Sequence, residues 1–277
     1  MRTVREEKRG KLTLRVVKGK VGYSGVVISD TKGRVALMEG SNPTELWRRL
    51  EQEAAKSSRE YIGFDGARAR FLADYPQGFA TPRYAQDERD YKLKAKASLD
   101  ISVPLEQAIH GEGLGEATLA VFRATNLLSP QFEMTRVQEL LRGPSADGFI
   151  RAAARFARGE GAPALAAMAS LAKPHECAKW TVVTYLPFLW RPDLHMFLKP
   201  GVTKDFAERV GHKFVYAYTP ALDIAVYDSL LDLAGRTEQE IADLHPQDRI
   251  DVQSYIWVVG AQAGEDVSSR SGSDDVN

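Results

Sequence analysis

Apolar and polar positions alternate through residues 11–18 (KLTLRVVK), with Leu12, Leu14 and Val16 on one face, and the run VGYSGVVIS at 21–29 is rich in β-branched residues. Both segments predict strands. Asp30-Thr31-Lys32-Gly33 carries turn chemistry and returns the chain into Val35–Met38, which gives a three-stranded antiparallel meander. A helix start follows, with Asn42 as the cap, Pro43 at the first helical position and Glu45 placed to complete a capping box. Leu46, Trp47, Leu50 and Ala54 then recur at helical spacing and would pack this helix on the sheet. Residues 1–60 therefore read as a βββα unit.

Beyond Tyr61 the pattern is helical, over 83–99, 116–128, 132–142, 145–158, 163–172 and 176–186. In 145–158 the stripe is Phe149, Ala153, Phe156 and Ala157. The chain is read as briefly extended at His195–Pro200 and again at Lys213–Tyr218, a spacing that suits a two-stranded ribbon. A long helix over 221–243 and a last one from Pro246 to Val259 follow, and the polar, Ser/Gly/Asp-rich residues 261–277 read as a disordered tail. The expected fold is α+β: a small N-terminal antiparallel βββα unit (1–60), a mainly α-helical domain with a short β ribbon (61–260), then the tail.

Composition adds an uneven charge distribution. The 277 residues are 44% hydrophobic and 27% charged, as in folded globular chains, and the formal net charge is zero. Yet residues 1–20 hold eight Lys/Arg against two Glu, while 219–277 hold twelve Asp/Glu against three Arg. Either the basic end meets a phosphate backbone, or the two ends neutralise each other within the fold or between protomers. No apolar run is long enough to span a bilayer and the first residues lack a signal-peptide core, so no membrane partner and a cytoplasmic location are expected. The single cysteine, Cys177, excludes an internal disulfide and a zinc site of several thiolates, and reads as a small buried apolar residue.

Several polar positions carry candidate chemistry. None of the five histidines has an i, i+4 histidine partner, so no metal site is expected. Asp65 with Asp90-Tyr91-Lys92 matches the letters of a nuclease's acidic-x-Lys pattern but reads as charged helix surface. Gly111-Glu112-Gly113-Leu114-Gly115 follows no strand and reads as a connector; no nucleotide or hydrolase motif appears, and no cofactor is implied. The helix Val202–Gly211 could present Lys204 and Arg209 to phosphates in a helix-turn-helix manner, or simply turn Phe206 and Val210 inward.

In Asp248–Trp257, Asp248, Asp251 and Tyr255 share one helical side, and Arg249, Gln253 and Trp257 another. These polar groups form either a satisfied internal network or the wall of a pocket. His195 and Lys199, on one side of an extended segment, join Lys179, Trp180, Trp190 and Arg191 either as a surface for phosphates and base stacking or as an aromatic core with lysines at its rim.

Trp180–Pro187, His195–Pro200 and Ile250–Trp257 together resemble a C-terminal module of uncharacterised bacterial proteins, some of which accompany restriction or other defence genes. The likeness spans residues 176–259, brings no catalytic motif, and implies a bacterial source and a nucleic-acid setting. The leading expectation is a non-enzymatic or accessory protein that binds DNA or RNA through Lys11, Arg15, Lys18 and Lys20 together with Lys179, Arg191, Lys199 and Lys204. Two alternatives stay open. One is an enzyme of unfamiliar type with a pocket built from Trp180, His195, Lys199, Asp251, Gln253 and Trp257; the other is a homo-oligomeric subunit held by its oppositely charged ends.

Overall fold

Four strands, not three, open the chain: β1 (Arg2–Arg9), β2 (Leu12–Lys18), β3 (Tyr23–Ser29) and β4 (Gly33–Gly40), all antiparallel in the order β1-β2-β3-β4. The computed structural model describes residues 2–58 and 60–261, so all but the first residue of the tail read at 261–277 lies outside the described residues. β1 escapes a periodicity reading because it is an edge strand exposed along nearly its whole length, with Glu6 and Lys8 on one face and Arg5, Glu7 and Arg9 on the other. Leu14, Val16 and Val27 form the buried face of the sheet, and α1 (Pro43–Ala55) packs on it through Leu46, Trp47, Leu50 and Ala54. Gly25 lets the helix approach, since a Cβ there would lie 2.7 Å from Leu50 Cδ1. Asn42 Oδ1 caps α1 by accepting from the Thr44 and Glu45 amides at 2.9 and 3.2 Å.

The rest is helical. α2 (Gly63–Asp74) leads to the short α3 (Pro82–Tyr84), which runs through a π-helical turn at Ala85–Arg89 into α4 (Asp90–Ser102). There follow α5 (Leu105–Ala108), α6 (Gly115–Arg123), α7 (Met134–Arg142), α8 (Ala146–Ala157) and α9 (Ala162–Ala172). The chain ends its described course with α10 (Trp180–Val183), α11 (Tyr185–Trp190), α12 (Pro200–Val210), α13 (Phe214–Ala217), α14 (Ile224–Glu240) and α15 (Arg249–Ala261). One hydrophobic cluster runs from Ala67 to Val259 and is separate from the small cluster under the sheet. The architecture is α+β.

The expected β ribbon is absent. Residues 195–199 are extended but unpaired by any strand, because side-chain hydroxyls satisfy their backbone: Met196 N donates to the Tyr227 hydroxyl (3.2 Å) and Leu198 N to Thr184 Oγ1 (3.1 Å). Lys213–Tyr218 instead forms the helical turn α13. No helix among the described residues is long and apolar enough to cross a membrane.

Candidate functional site

The sheet unit concentrates positive charge. Residues 2–56 contain thirteen Lys/Arg and seven Asp/Glu, a net +6 that the remainder of the neutral chain offsets. On the buried side of β1, Arg9 binds Glu7 (2.7 Å) and Glu51 (2.5 Å), and the Arg5 guanidinium lies 3.9 Å from the Trp47 ring centre. On the open face Arg15 is paired with Glu6 at 2.5 Å, and Lys8 with Asp30 at 3.1 Å. Arg15 is therefore already neutralised.

Arg2, Lys11, Lys18, Lys20, Lys32 and Arg34 are exposed and form no ion pair among the described residues. Register places them at the two ends of the sheet. Arg2 lies opposite Lys18, with Lys20 just beyond, whereas Lys11, Lys32 and Arg34 surround the opposite turns, which are tied by Asp30 N donating to Lys11 O at 2.8 Å. Seven residues of β2 separate the ends by roughly 23 Å. Between them the open face presents Thr13, Val17, Ser24, Val26, Ile28 and Leu37, with no aromatic side chain.

The helical half of the expected contact surface does not assemble. Trp180 and Trp190 are buried, their indole N–H groups donating to Thr219 O (3.1 Å) and Val103 O (2.9 Å), so neither offers a stacking face. Lys199 donates to Leu127 O at 3.1 Å, Arg191 is bound to Asp193, and Lys204 lies 5.5 Å from the centre of the Tyr218 ring. Lys179 is exposed. Arg209 is buried, so α12 cannot present it to phosphates.

Nor do the pocket candidates converge. His195 is enclosed between Tyr227, 2.9 Å from Nδ1, and Ala157 O, 3.1 Å from Nε2, and burial pushes its pKa down to about 4. Asp251 is sealed elsewhere, accepting from Tyr84 Oη (2.6 Å), Arg89 Nη1 (2.6 Å) and Gln247 N (2.8 Å). Gln253 is buried with Oε1 unpartnered among the described residues, and Trp257 packs against the main core. The polar positions at and just before α15 thus divide: Asp248 and Asp251 join an internal network, and none of the six candidates lines either cavity described below.

That network includes residues the sequence reading placed on helix surface or did not single out. Lys92 is fully buried, with Nζ 2.8 Å from Ser254 Oγ and 3.2 Å from Glu88, and burial lowers its pKa to about 8. Burial raises that of Glu88. Arg89 joins Asp251 to Asp248, 2.8 Å from Nη2. The lysine of the acidic-x-Lys pattern is engaged with Ser254 and Glu88, and among the described residues no group of three or more His, Cys, Asp or Glu is placed to hold an ion.

A cleft of about 950 Å³ lies between the sheet unit and the helices. It is lined by Arg5, Trp47 and Arg48 of the sheet unit and, from the helical part, by Tyr61, Phe64, His212, Asp232 and Arg236 among others. His212 accepts from Phe214 N through Nδ1 and donates through Nε2 to Asp232, both at 3.2 Å. The hydrogen bond from His212, together with Lys213 2.8 Å away, holds the Asp232 carboxyl well below the usual range. A second cavity of about 330 Å³ is lined by Phe122, Arg123, Leu128 and Met134 among others. No protein-family model, curated protein or solved structure matches the chain.

Proposed function

We propose that this chain is a non-enzymatic, accessory nucleic-acid-binding protein that contacts backbone phosphates through its sheet unit. The observation that carries the reading is the placement of six exposed cations, none in an ion pair among the described residues, at the two ends of the sheet, in a unit of net charge +6. The spacing of about 23 Å matches roughly seven phosphates along one strand of a duplex. The lack of an aromatic side chain on the open face supports binding through phosphates with little base preference. The resemblance of residues 176–259 to a module near bacterial defence genes supplies the setting for this proposal. The segments that carry it lie largely in the helical core.

Fluorescence anisotropy with labelled single- and double-stranded DNA and RNA, at about 50 and 200 mM salt, tests it. Six duplex phosphate contacts predict an affinity loss of about 10³-fold across that interval. Replacing Lys11, Lys18 and Lys20 by Glu abolishes binding, while the same change at Lys179 and Lys204 leaves it. Absence of binding at the lower salt, or retention after reversal on the sheet, overturns the proposal.

A further inference from the structure

The two edges of the sheet are unlike. β1 is laced with Arg2, Arg5, Glu6, Glu7, Lys8 and Arg9, the charge pattern that keeps an edge from pairing with another strand, and Arg9 lies 5.4 Å from the centre of the Tyr216 ring in the helical part. β4, at the far edge, carries only Arg34 and Glu39, neither in an ion pair among the described residues. Its side chains are half-buried or open, with Val35 41% and Leu37 57% exposed. Arg49 donates to Glu39 O at 3.3 Å, and no other side chain among the described residues hydrogen-bonds the backbone of this strand.

We propose that two copies of the chain join through their β4 edges as an antiparallel pair, making one continuous eight-stranded sheet. The charge order of β4 is self-complementary and its bulge makes the match geometric. Val27 pairs with Ala36 and Ile28 with Arg34, so Val35 is the extra residue. The bulge brings Arg34 onto the open face, where Leu37 and Glu39 also lie opposite Val26 and Ser24. Around a two-fold axis at Leu37, Leu37 meets Leu37 of the second copy and Ala36 meets Met38. Glu39 then stands opposite the Arg34–Val35 bulge. Each end of the junction gains an Arg34–Glu39 pair on the same face that receives the two leucines, which leaves the other five exposed cations of each sheet unit for phosphates, and the open backbone groups of both edges are satisfied.

Sedimentation velocity over about 1 to 200 µM chain tests this, since a self-association of this kind follows mass action. The expected result is a monomer–dimer equilibrium ending at the mass of two chains. Leu37→Lys, which sets two ammonium groups face to face, raises the dimer Kd by at least about tenfold. Arg34→Glu and Glu39→Arg each weaken the dimer, and the double exchange restores it. Circular dichroism unchanged from the wild type at a concentration where both are monomeric confirms that each variant is folded, as the exposure of Leu37 leads one to expect. A monomer throughout, assembly beyond two copies, a dimer indifferent to Leu37→Lys, or a double exchange that fails to restore association each overturns the proposal.

Discussion

The Tyr227 hydroxyl donates to Nδ1 of His195 across 2.9 Å while its oxygen accepts the Met196 amide at 3.2 Å. The opposite ring nitrogen faces Ala157 O at 3.1 Å, and a carbonyl only accepts, so Nε2 holds the proton of a neutral imidazole. Both ring nitrogens, the hydroxyl and the Met196 amide of this buried arrangement are thus partnered. A second ring proton at Nδ1 would meet a hydroxyl already donating to it.

The consequence is acid sensitivity. The folded-state pKa of about 4 lies below the ordinary 6.5, so the unfolded chain takes up the proton first. The stability that neutral His195 contributes is complete above pH about 6.5 and is lost as pH falls towards 4, about 3 kcal/mol in all. In urea unfolding, His195→Gln is less stable than the wild type at pH 7.5, and the gap closes by about 2–3 kcal/mol near pH 4.5. A gap that stays constant with pH would show that the imidazole does not titrate on unfolding.

Arg89 and Asp251 come from opposite ends of the helical part and meet in its interior at 2.6 Å, with Tyr84 and Gln247 completing the carboxylate's shell. Removing one partner of such a pair leaves the other buried and unsatisfied, a loss of about 3–5 kcal/mol. Arg89→Met and Asp251→Ala should each cost that much in chemical denaturation. The double variant should cost less than the sum by at least about 1 kcal/mol. Strict additivity would mean that the two side chains do not depend on each other.

Legibility in the sequence followed locality. β2, β3 and α1 were readable because alternation, turn residues and the Asn42-Pro43 cap are written within a few positions. β1 was not, since an edge strand exposed on both sides needs no apolar face, and the supposed ribbon failed because the hydroxyls of Thr184 and Tyr227 replace a partner strand. Asp248 and Asp251 were recognisable as unusual, but Tyr84, Arg89 and Lys92, about 160 positions away, complete their network. The only local sign was a tyrosine, an arginine and a lysine recurring in a helical stretch, a pattern equally suited to a solvated face. Of the candidate nucleic-acid contacts, Lys11, Lys18 and Lys20 are exposed and unpaired. Arg15 is held by Glu6, a pairing set by the register of a strand the sequence reading did not contain.

Lys92 gives the opposite pH signature to an ordinary surface lysine. Its folded pKa of about 8 lies below the unfolded 10.5, so between these values the unfolded chain retains the proton that the folded one has lost. Unfolding free energy from this group therefore rises with pH, by about 2 kcal/mol between pH 7.5 and 9.5. Measured by guanidinium unfolding, the wild type should gain that amount relative to Lys92→Met across the interval. Parallel profiles would show that the ammonium is not desolvated in the folded protein.

Gly211 decides how closely the sheet unit approaches the helices. It ends α12 with φ +74°, and a Cβ there would stand 2.3 Å from Ala55 Cβ and 3.0 Å from the Tyr61 ring. Ala55 ends α1, so the same glycine serves as helix cap and as point of contact between the two cored parts. Gly211→Val adds the cost of a β-branched residue in a left-handed conformation, about 1–2 kcal/mol, to a collision that displaces α1. Neither hydrophobic cluster contains the substituted position, so both should survive while their docking loosens. Limited proteolysis should then cut within residues 56–62 before either part is degraded, at a temperature where the wild type resists. Uniform degradation of both parts, or wild-type resistance, would show that the approach of Ala55 to Gly211 does not hold the sheet unit in place.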